Sequence, residues 1–202
     1  MSQLTIDYYF WLSSDWSYLG HRRLTQLAEL NGAIINYKPV QMTTLFELTG
    51  GTLLSQRSQQ RQDYRVTELE RWKLILNMPI ITNPSYFPVN NDKALSLLVG
   101  ALSAGKEVNS YIESVMHAVW MEERDIANPA VLVEIATRSG YSLDEINKWM
   151  VFDNANFILT ENAKEAARVG VFGAPSYVVE GEVFWGQDRL ELLSVKIASS
   201  KK

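Results

Sequence analysis

The sequence predicts an α/β fold in which a block of helices interrupts a small sheet. Three observations carry this prediction: a strand-helix-strand pattern at the start of the chain, an all-helical pattern over residues 44–155, and a helix-strand-strand-helix pattern at the end. Residues 1–43 and 156–202 are therefore expected to form one discontinuous domain, with residues 44–155 as an inserted helical domain.

The first of these patterns begins with a buried strand. Residues 4–12 (LTIDYYFWL) are rich in β-branched and aromatic side chains, which favour a strand. Apolar residues then recur near the helical period over residues 15–30, and Asn31-Gly32 is a typical helix stop. The apolar run at 33–40 (AIINYKPV) completes a strand-helix-strand unit, which implies two parallel strands.

The central block shows five amphipathic segments, each bounded by Pro, Gly, Asn or Asp: DYRVTELERWKLILNMP, DKALSLLVGALSAGK, VNSYIESVMHAVWMEE, NPAVLVEIATRSG and LDEINKWMVF. Two of their starts carry capping signals. Asp92 precedes an apolar stripe and is expected to be an N-cap, while Ser142 with Glu145 three residues later matches a capping box.

The last part of the chain returns to strands after one more helix, ANFILTENAKEAARVG. The runs SYVV and EVFWG flank Glu180-Gly181, and a two-residue turn with Gly at its second position predicts a β-hairpin. The segment QDRLELLSVKIA reads as a final helix. Without the helical block, the order of elements is that of the thioredoxin fold.

Composition excludes several classes of function. The net charge of −4 and a pI near 5.3, without a dense Lys/Arg cluster, argue against nucleic-acid and membrane-surface partners. No secretory signal pattern or apolar run of roughly 20 residues is present, so a cytoplasmic location is expected. The chain has no cysteine and only His21 and His117, so it offers no thiol nucleophile and no metal site is expected.

Two segments carry chemistry at the predicted sheet. Ser13-Ser14 lies where the first strand meets its helix, a position that favours an anion, although a serine there also simply caps the helix. Pro175 follows Gly173-Ala174 directly before a strand, where a cis X–Pro bond or an ordinary trans turn would both fit. A cis proline would leave the backbone of Ala174 open to pair with an extended peptide.

Four stretches resemble a known family: SSDWSYLGHRRL, ERWKLILNMPI, HAVWMEERDI and VFGAPSYVVEGEVFWGQDRL. They are similar, in order over nearly the whole chain, to the signature stretches of the 2-hydroxychromene-2-carboxylate isomerase family, which is related to kappa-class glutathione transferases. The resemblance implies a DsbA-like thioredoxin fold with a helical insertion, and glutathione as cofactor. Relatives often form homodimers, so a homodimer is one implied assembly.

The resemblance assigns the central role to Ser14, which matches the family serine that donates a hydrogen bond to the glutathione sulfur. A free thiol with a pKa near 8.5 is mostly protonated at neutral pH, so a donor at a helix start would favour the reactive thiolate. Ser14 would not be the nucleophile itself. The attacking sulfur would belong to the cofactor, which reconciles thiol chemistry with a chain that lacks cysteine.

Five further positions match glutathione-binding residues of the family. Ala174, before Pro175, would pair through its backbone with the cysteinyl part of glutathione. Gln187 and Asp188 match a polar pair at the last helix, where Asp188 would accept from the γ-glutamyl ammonium. Arg61 would reach the glycyl carboxylate. The alternatives are a first-turn acid favoured by the helix dipole for Asp188 and a solvated surface side chain for Arg61.

Aromatic residues supply candidates for the wall of a substrate pocket: Tyr86, Trp16, Trp120 and Phe10. Tyr86 has the strongest claim because it matches a substrate-contacting tyrosine of the isomerases. Aromatic residues at helical spacing more often belong to the core, which is the alternative for the others.

Two differences from the family keep a second function open. Asp15-Trp16 replaces the usual Pro-Tyr, which puts a carboxylate beside the proposed thiolate, and residues 48–62 lack the Asn and Lys that hold the isomerase substrate. The first prediction is a glutathione-dependent isomerase, or a kappa-like glutathione transferase, acting on a small aromatic or electrophilic compound. The alternative is a non-catalytic thioredoxin-like module that binds glutathione or a peptide. A serine hydrolase is disfavoured because no G-x-S-x-G motif is present.

Overall fold

A computed structural model describes residues 3–200 of the chain. The described residues form two compact units: the first joins the chain up to Gly51 with the chain from Phe157 onward, and the second comprises Thr52–Asn156. The insertion was predicted to span residues 44–155. The first unit instead continues to Gly51, so it includes the helix Met42–Thr49.

The strands and helices run in chain order as β1 Thr5–Phe10, α1 Asp15–Asn31, β2 Ile34–Pro39, α2 Met42–Thr49, α3 Gln59–Leu76, α4 Asp92–Ser103, α5 Asn109–Trp120, α6 Pro129–Arg138, α7 Leu143–Trp149, α8 Ala155–Arg168, β3 Ser176–Val179, β4 Glu182–Trp185 and α9 Leu190–Ser199. Short 3-10 turns lie at Leu54–Gln56 and Gln187–Arg189.

The first unit contains a four-stranded sheet in the order β2-β1-β3-β4. Strands β1 and β2 are parallel, with Thr5 opposite Ile34, and α1 makes the crossover between them that a parallel pair requires. Strand β3 is antiparallel to β1, with Tyr9 opposite Ser176, and β4 is antiparallel to β3. The predicted strand-helix-strand unit and the mixed α/β class are confirmed.

Local sequence signals explain how α1 and the hairpin are bounded. Helix α1 begins after Ser14 and ends at Gly32, which has a φ of 60° and donates to Ala28 and Glu29, as the Asn31-Gly32 pattern predicted. Strands β3 and β4 are joined by Glu180 and Gly181, both with positive φ, which is the geometry of the hairpin turn predicted there.

The second unit contains helices α3 to α7 around a core that includes Trp120, Tyr111 and Leu97. The capping box at Ser142 and Glu145 is present with both of its hydrogen bonds, as predicted. The prediction that Asp92 caps α4 is wrong by one residue: Asn91 is the N-cap and Asp92 the first helical residue. The backbone N–H of Asp92 instead donates to the Asn90 side chain, a loop hydrogen bond that shifts the helix start.

Within residues 3–200, no helix is both long and apolar enough to cross a membrane. The same residues contain no group of three or more His, Asp or Glu side chains arranged to hold a metal ion.

Candidate active site

Three segments of the first unit meet at one end of its sheet. Strand β1 ends at Phe10 and leads into the start of α1, while β3 begins beside it, because Tyr9 is opposite Ser176. Strand β4 ends there as well, since Trp185 is also opposite Ser176. The topology therefore brings the predicted residues Ser14, Ala174-Pro175 and Gln187-Asp188 to the same edge.

Ser14 is the N-cap of α1. Its hydroxyl oxygen accepts a hydrogen bond from the backbone N–H of Ser17 at 3.2 Å, and its own N–H donates to the carbonyl of Trp11 at 3.0 Å. Ser14 is 5% exposed. A serine hydroxyl that accepts one hydrogen bond can still donate its hydrogen to another group, so the capping role and the predicted donor role of Ser14 are compatible.

Asp15 is the first residue of α1, and only 5% of it is exposed. Its Oδ1 accepts a hydrogen bond from the backbone N–H of Trp16 at 2.7 Å. The Asp15 side chain is therefore held inside the protein next to Ser14 and does not point into solvent. Trp16 beside it is half-buried, and Phe10 is fully buried and stacked on Tyr8.

The loop before β3 has a cis peptide bond between Ala174 and Pro175, one of the two conformations left open by the sequence. Pro175 is buried and Ala174 is half-buried. The carbonyl of Pro175 accepts from the backbone N–H of Gly186 at 2.9 Å, and the Ser176 hydroxyl donates to the carbonyl of Gly173 at 2.7 Å. The first of these bonds ties the loop to the segment after β4, and the second closes the loop on itself.

Gln187 and Asp188 lie in the 3-10 turn after β4 and differ in exposure. Gln187 is 2% exposed, and its Oε1 accepts a hydrogen bond from Arg23 Nη1 of α1 at 2.7 Å. The Asp188 side chain is 37% exposed and forms an ion pair with the neighbouring Arg189 at 2.6 Å. Asp188 therefore presents its carboxylate at the surface, whereas the Gln187 side chain faces α1.

A group of rings lies beneath the start of α1, in which Tyr8, Tyr177 and His21 are buried and Tyr37 is half-buried. Tyr8 stacks on Tyr177 with ring centroids 5.5 Å apart, and the rings of His21 and Tyr37 approach Tyr8 at 5.9 and 6.2 Å. Burial raises the pKa of both the Tyr8 and Tyr177 phenols well above their ordinary value of 10.0. Both phenols therefore stay neutral at physiological pH.

The remaining predicted site residues lie in the second unit. Arg61 is exposed in the first turn of α3, and Tyr86 is 49% exposed. Trp120 at the end of α5 is fully buried and packs on Phe87 with ring centroids 4.7 Å apart. Phe87 precedes Pro88 in a second cis peptide bond, which the sequence analysis did not identify.

Sequence reasoning also missed Arg23, whose contact with Gln187 spans 164 positions of the chain. A signal for this region does exist. Gly20 lies inside α1, where glycine disfavours a helix, and such a residue often marks a close approach of two elements. In the structure, the Tyr177 hydroxyl and Gln187 pack directly against Gly20.

The fold and this edge of the sheet define a thioredoxin-type domain with a helical insertion. The family model of the DSBA-like thioredoxin domain matches residues 5–198, and the chain belongs to this family. It is 27% identical over 194 residues to the 2-hydroxychromene-2-carboxylate isomerase of Pseudomonas putida, covering 94% of this chain and 92% of that protein. The resemblance identified from the sequence is confirmed.

Solved structures support the same fold. A 2-hydroxychromene-2-carboxylate isomerase superposes with a TM-score of 0.82 at 23% identity, covering 96% of this chain and 95% of that one. The cytosolic disulfide reductase DsbM from Pseudomonas aeruginosa, solved with GSH, superposes with a TM-score of 0.69 at 15% identity, covering 95% and 93%. At these identities the likeness establishes the thioredoxin-type architecture with its insertion, as predicted.

Proposed function

We propose that this chain is a glutathione-dependent isomerase of the 2-hydroxychromene-2-carboxylate isomerase type that acts on a small aromatic compound. The observation that carries the proposal is the buried Ser14 hydroxyl at the start of the 17-residue helix α1, in a chain without cysteine. Similarity to named isomerases over nearly the whole chain supports an enzyme of this type, and a neighbour solved with GSH supports the cofactor.

The residues at the sheet edge fit the chemical groups of glutathione. The Ser14 hydroxyl and the positive N-terminal end of the α1 dipole suit a thiolate, because both favour negative charge. The half-buried Ala174 suits the peptide backbone, and the partly exposed Asp188 carboxylate suits an ammonium group. Bound glutathione would supply the sulfur nucleophile that the chain lacks.

In this proposal the protein's own residues hold and orient the bound glutathione. Ser14 donates its hydroxyl hydrogen toward the sulfur and so lowers the thiol pKa. The aromatic residues beneath α1 exclude water from that side, since Tyr8 and Phe10 are fully buried. A cytoplasmic location agrees with the need for reduced glutathione. Roles for Arg61, Tyr86, Trp16 and Trp120 remain predictions from the resemblance.

A second function is favoured by one observation, the buried position of Asp15. A carboxylate held beside the proposed thiolate opposes its formation by like charge. This favours a non-catalytic module that binds glutathione or a peptide without activating a thiol.

The test is an ultraviolet titration of the thiolate of glutathione bound to the native chain, followed against pH. The proposal expects a bound-thiol pKa clearly below that of free glutathione, and a return toward the free value in Ser14→Ala. Because that variant also removes an N-cap, the matched control is Ser142→Ala, which removes the N-cap of α7.

Outcomes separate the two functions. Saturable binding without a pKa shift would favour the non-catalytic module. Absence of binding would reject both the glutathione-dependent isomerase and a module that binds glutathione, and would leave only a module that binds a peptide. A positive result leads to an absorbance assay with 2-hydroxychromene-2-carboxylate, with and without glutathione. Turnover that is independent of glutathione would contradict the proposal.

A further inference from the structure

One side chain connects α1 to the turn that carries Asp188. Arg23 Nη1 donates to Oε1 of Gln187 at 2.7 Å and to the backbone carbonyl of Gln187 at 3.1 Å. The Gln187 side chain is buried, and the guanidinium is partly buried. Charge-assisted hydrogen bonds of this kind are about twice as strong as neutral ones, so Arg23 holds both the side chain and the backbone of Gln187.

The turn itself is compact, and its position fixes that of Asp188. Gly186 has a φ of 111°, and its N–H donates to Pro175 at 2.9 Å, while the N–H of Arg189 donates back to Gly186 at 3.1 Å. Asp188 Oδ1 lies 2.5 Å from the point where a β-carbon on Gly186 would stand. The carboxylate therefore packs on the backbone of Gly186, and a shift of the turn would move it.

Further contacts place α1 and the turn against each other. A β-carbon on Gly20 would lie 3.1 Å from Cβ of Gln187 and 2.7 Å from the Tyr177 hydroxyl. Burial is the main cause of the raised pKa of Tyr177; the charge of Arg23 lowers this pKa, and the charge of Asp188 raises it further. The close approach of Gly20 to Gln187 and Tyr177 therefore places α1 directly against the turn.

We propose that Arg23 is a positioning residue: by holding Gln187, it fixes the Gly186–Arg189 turn so that Asp188 recognises the γ-glutamyl ammonium of glutathione. In this proposal the Gln187 Oε1 does not contact the ligand, because it is buried and accepts its hydrogen bond from Arg23. The identity of the ligand in this inference rests on the proposed function. The role of Arg23 in fixing the turn does not depend on that function.

The test therefore has two readouts on the full chain. Amide hydrogen exchange at Gly186 and Arg189 reports the turn without any ligand. The second readout is the ratio of the Kd for cysteinylglycine to the Kd for glutathione, which isolates recognition of the γ-glutamyl group because the dipeptide lacks it. The variants are Arg23→Met, Gln187→Met, their combination and Asp188→Asn, with Arg22→Met on the exposed side of α1 as the matched control.

The proposal expects Arg23→Met to speed exchange at both amides about tenfold. The same variant should weaken glutathione about tenfold while leaving cysteinylglycine unchanged. Gln187→Met should change exchange and glutathione binding as much as Arg23→Met does, and the double variant should show no larger change. Asp188→Asn should weaken glutathione relative to cysteinylglycine to the same extent, but without faster exchange. Arg22→Met should change neither readout.

Other outcomes overturn it. Unchanged exchange in Arg23→Met rejects the positioning role, whatever the ligand does. Faster exchange with unchanged discrimination reduces the contact to a stabilising one and rejects the role in recognition. A larger loss in Gln187→Met than in Arg23→Met would show that Gln187 contacts the ligand directly. If the native chain does not bind glutathione, the proposed function is rejected. Amide exchange still tests the positioning role of Arg23 in that case, so the two failures are distinguishable.

Discussion

The hydroxyl oxygen of Tyr177 lies 2.7 Å from the point where a β-carbon on Gly20 would stand. Gly20 is a buried residue in the middle of α1, and Tyr177 is a fully buried residue of β3. The helix and the sheet approach so closely here that no side chain fits on residue 20. The absence of a side chain at this position is therefore a packing requirement.

Gly20→Ala is accordingly expected to destabilise the protein by about 1–3 kcal/mol through overpacking, although alanine is normally the better helix former. Denaturant unfolding measures the effect. In a Tyr177→Phe background the cost of Gly20→Ala should be smaller, because the clashing oxygen is absent. Its removal breaks no hydrogen bond, since the Tyr177 hydroxyl has no partner among the described residues. An equal cost of Gly20→Ala in both backgrounds would contradict this account.

Asp15→Asn tests whether the buried carboxylate beside Ser14 opposes a bound thiolate. Asparagine keeps an oxygen that can accept from Trp16 N–H but removes the charge. The pKa of the bound glutathione thiol is expected to fall by about one unit, measured by thiolate absorbance. The control is Asp144→Asn, an exposed acid in the first turn of α7, which should leave that pKa unchanged. A pKa that rises in Asp15→Asn would refute the like-charge argument.

Ser96→Ala tests a buried hydrogen-bonded contact in the second unit. The Ser96 hydroxyl donates to the carbonyl of Trp149 at 2.8 Å and accepts from the N–H of Phe152 at 3.0 Å. Removing it leaves both backbone groups without this partner, so a loss of about 1–3 kcal/mol in the free energy of unfolding is expected. Ser103→Ala, an exposed position in the same helix, should cost far less. Similar costs for the two variants would show that the contact contributes little.

The lowered pKa of Glu145 predicts that this residue contributes to the loss of folding stability in acid. Hydrogen bonds from Lys106 and then from the backbone and side chain of Ser142 lower its pKa from the ordinary 4.5 to about 2. The folded state thus binds the proton less tightly than the unfolded state. The stabilisation is complete above the ordinary pKa and is lost as pH falls from there toward 2.

The measurement is the urea midpoint between pH 5 and pH 3 for native protein and Glu145→Gln. The native midpoint should fall more steeply with decreasing pH than that of the variant. Lys106→Met, which removes the first of these hydrogen bonds, should give an intermediate slope. Parallel slopes for all three proteins would exclude Glu145 as a source of the acid sensitivity.

Elements whose signals are local could be predicted from the sequence. The α1 stop at Gly32, the Glu180-Gly181 hairpin and the Ser142 capping box each depend on a few adjacent residues, and each was predicted. The start of α4 was placed one residue late in the chain because the competing Asn90 hydrogen bond has no distinct sequence signal.

For the candidate site, the sequence located the start of α1, the proline before β3 and the polar pair after β4, because these lie where a predicted strand ends or begins. It did not distinguish buried from exposed side chains within those segments. Asp15 and Gln187 are both buried, while Asp188 is partly exposed, and only the packing of α1 on the sheet decides this.

The sequence by itself therefore determined the order of the elements and the segments that form the sheet edge, since periodicity and capping act over a few residues. The tertiary structure alone decided the hold of Arg23 on Gln187 and the approach of Tyr177 to Gly20. Both join residues more than 150 positions apart, and such contacts arise only once the helix and sheet have packed, because no local pattern encodes their geometry.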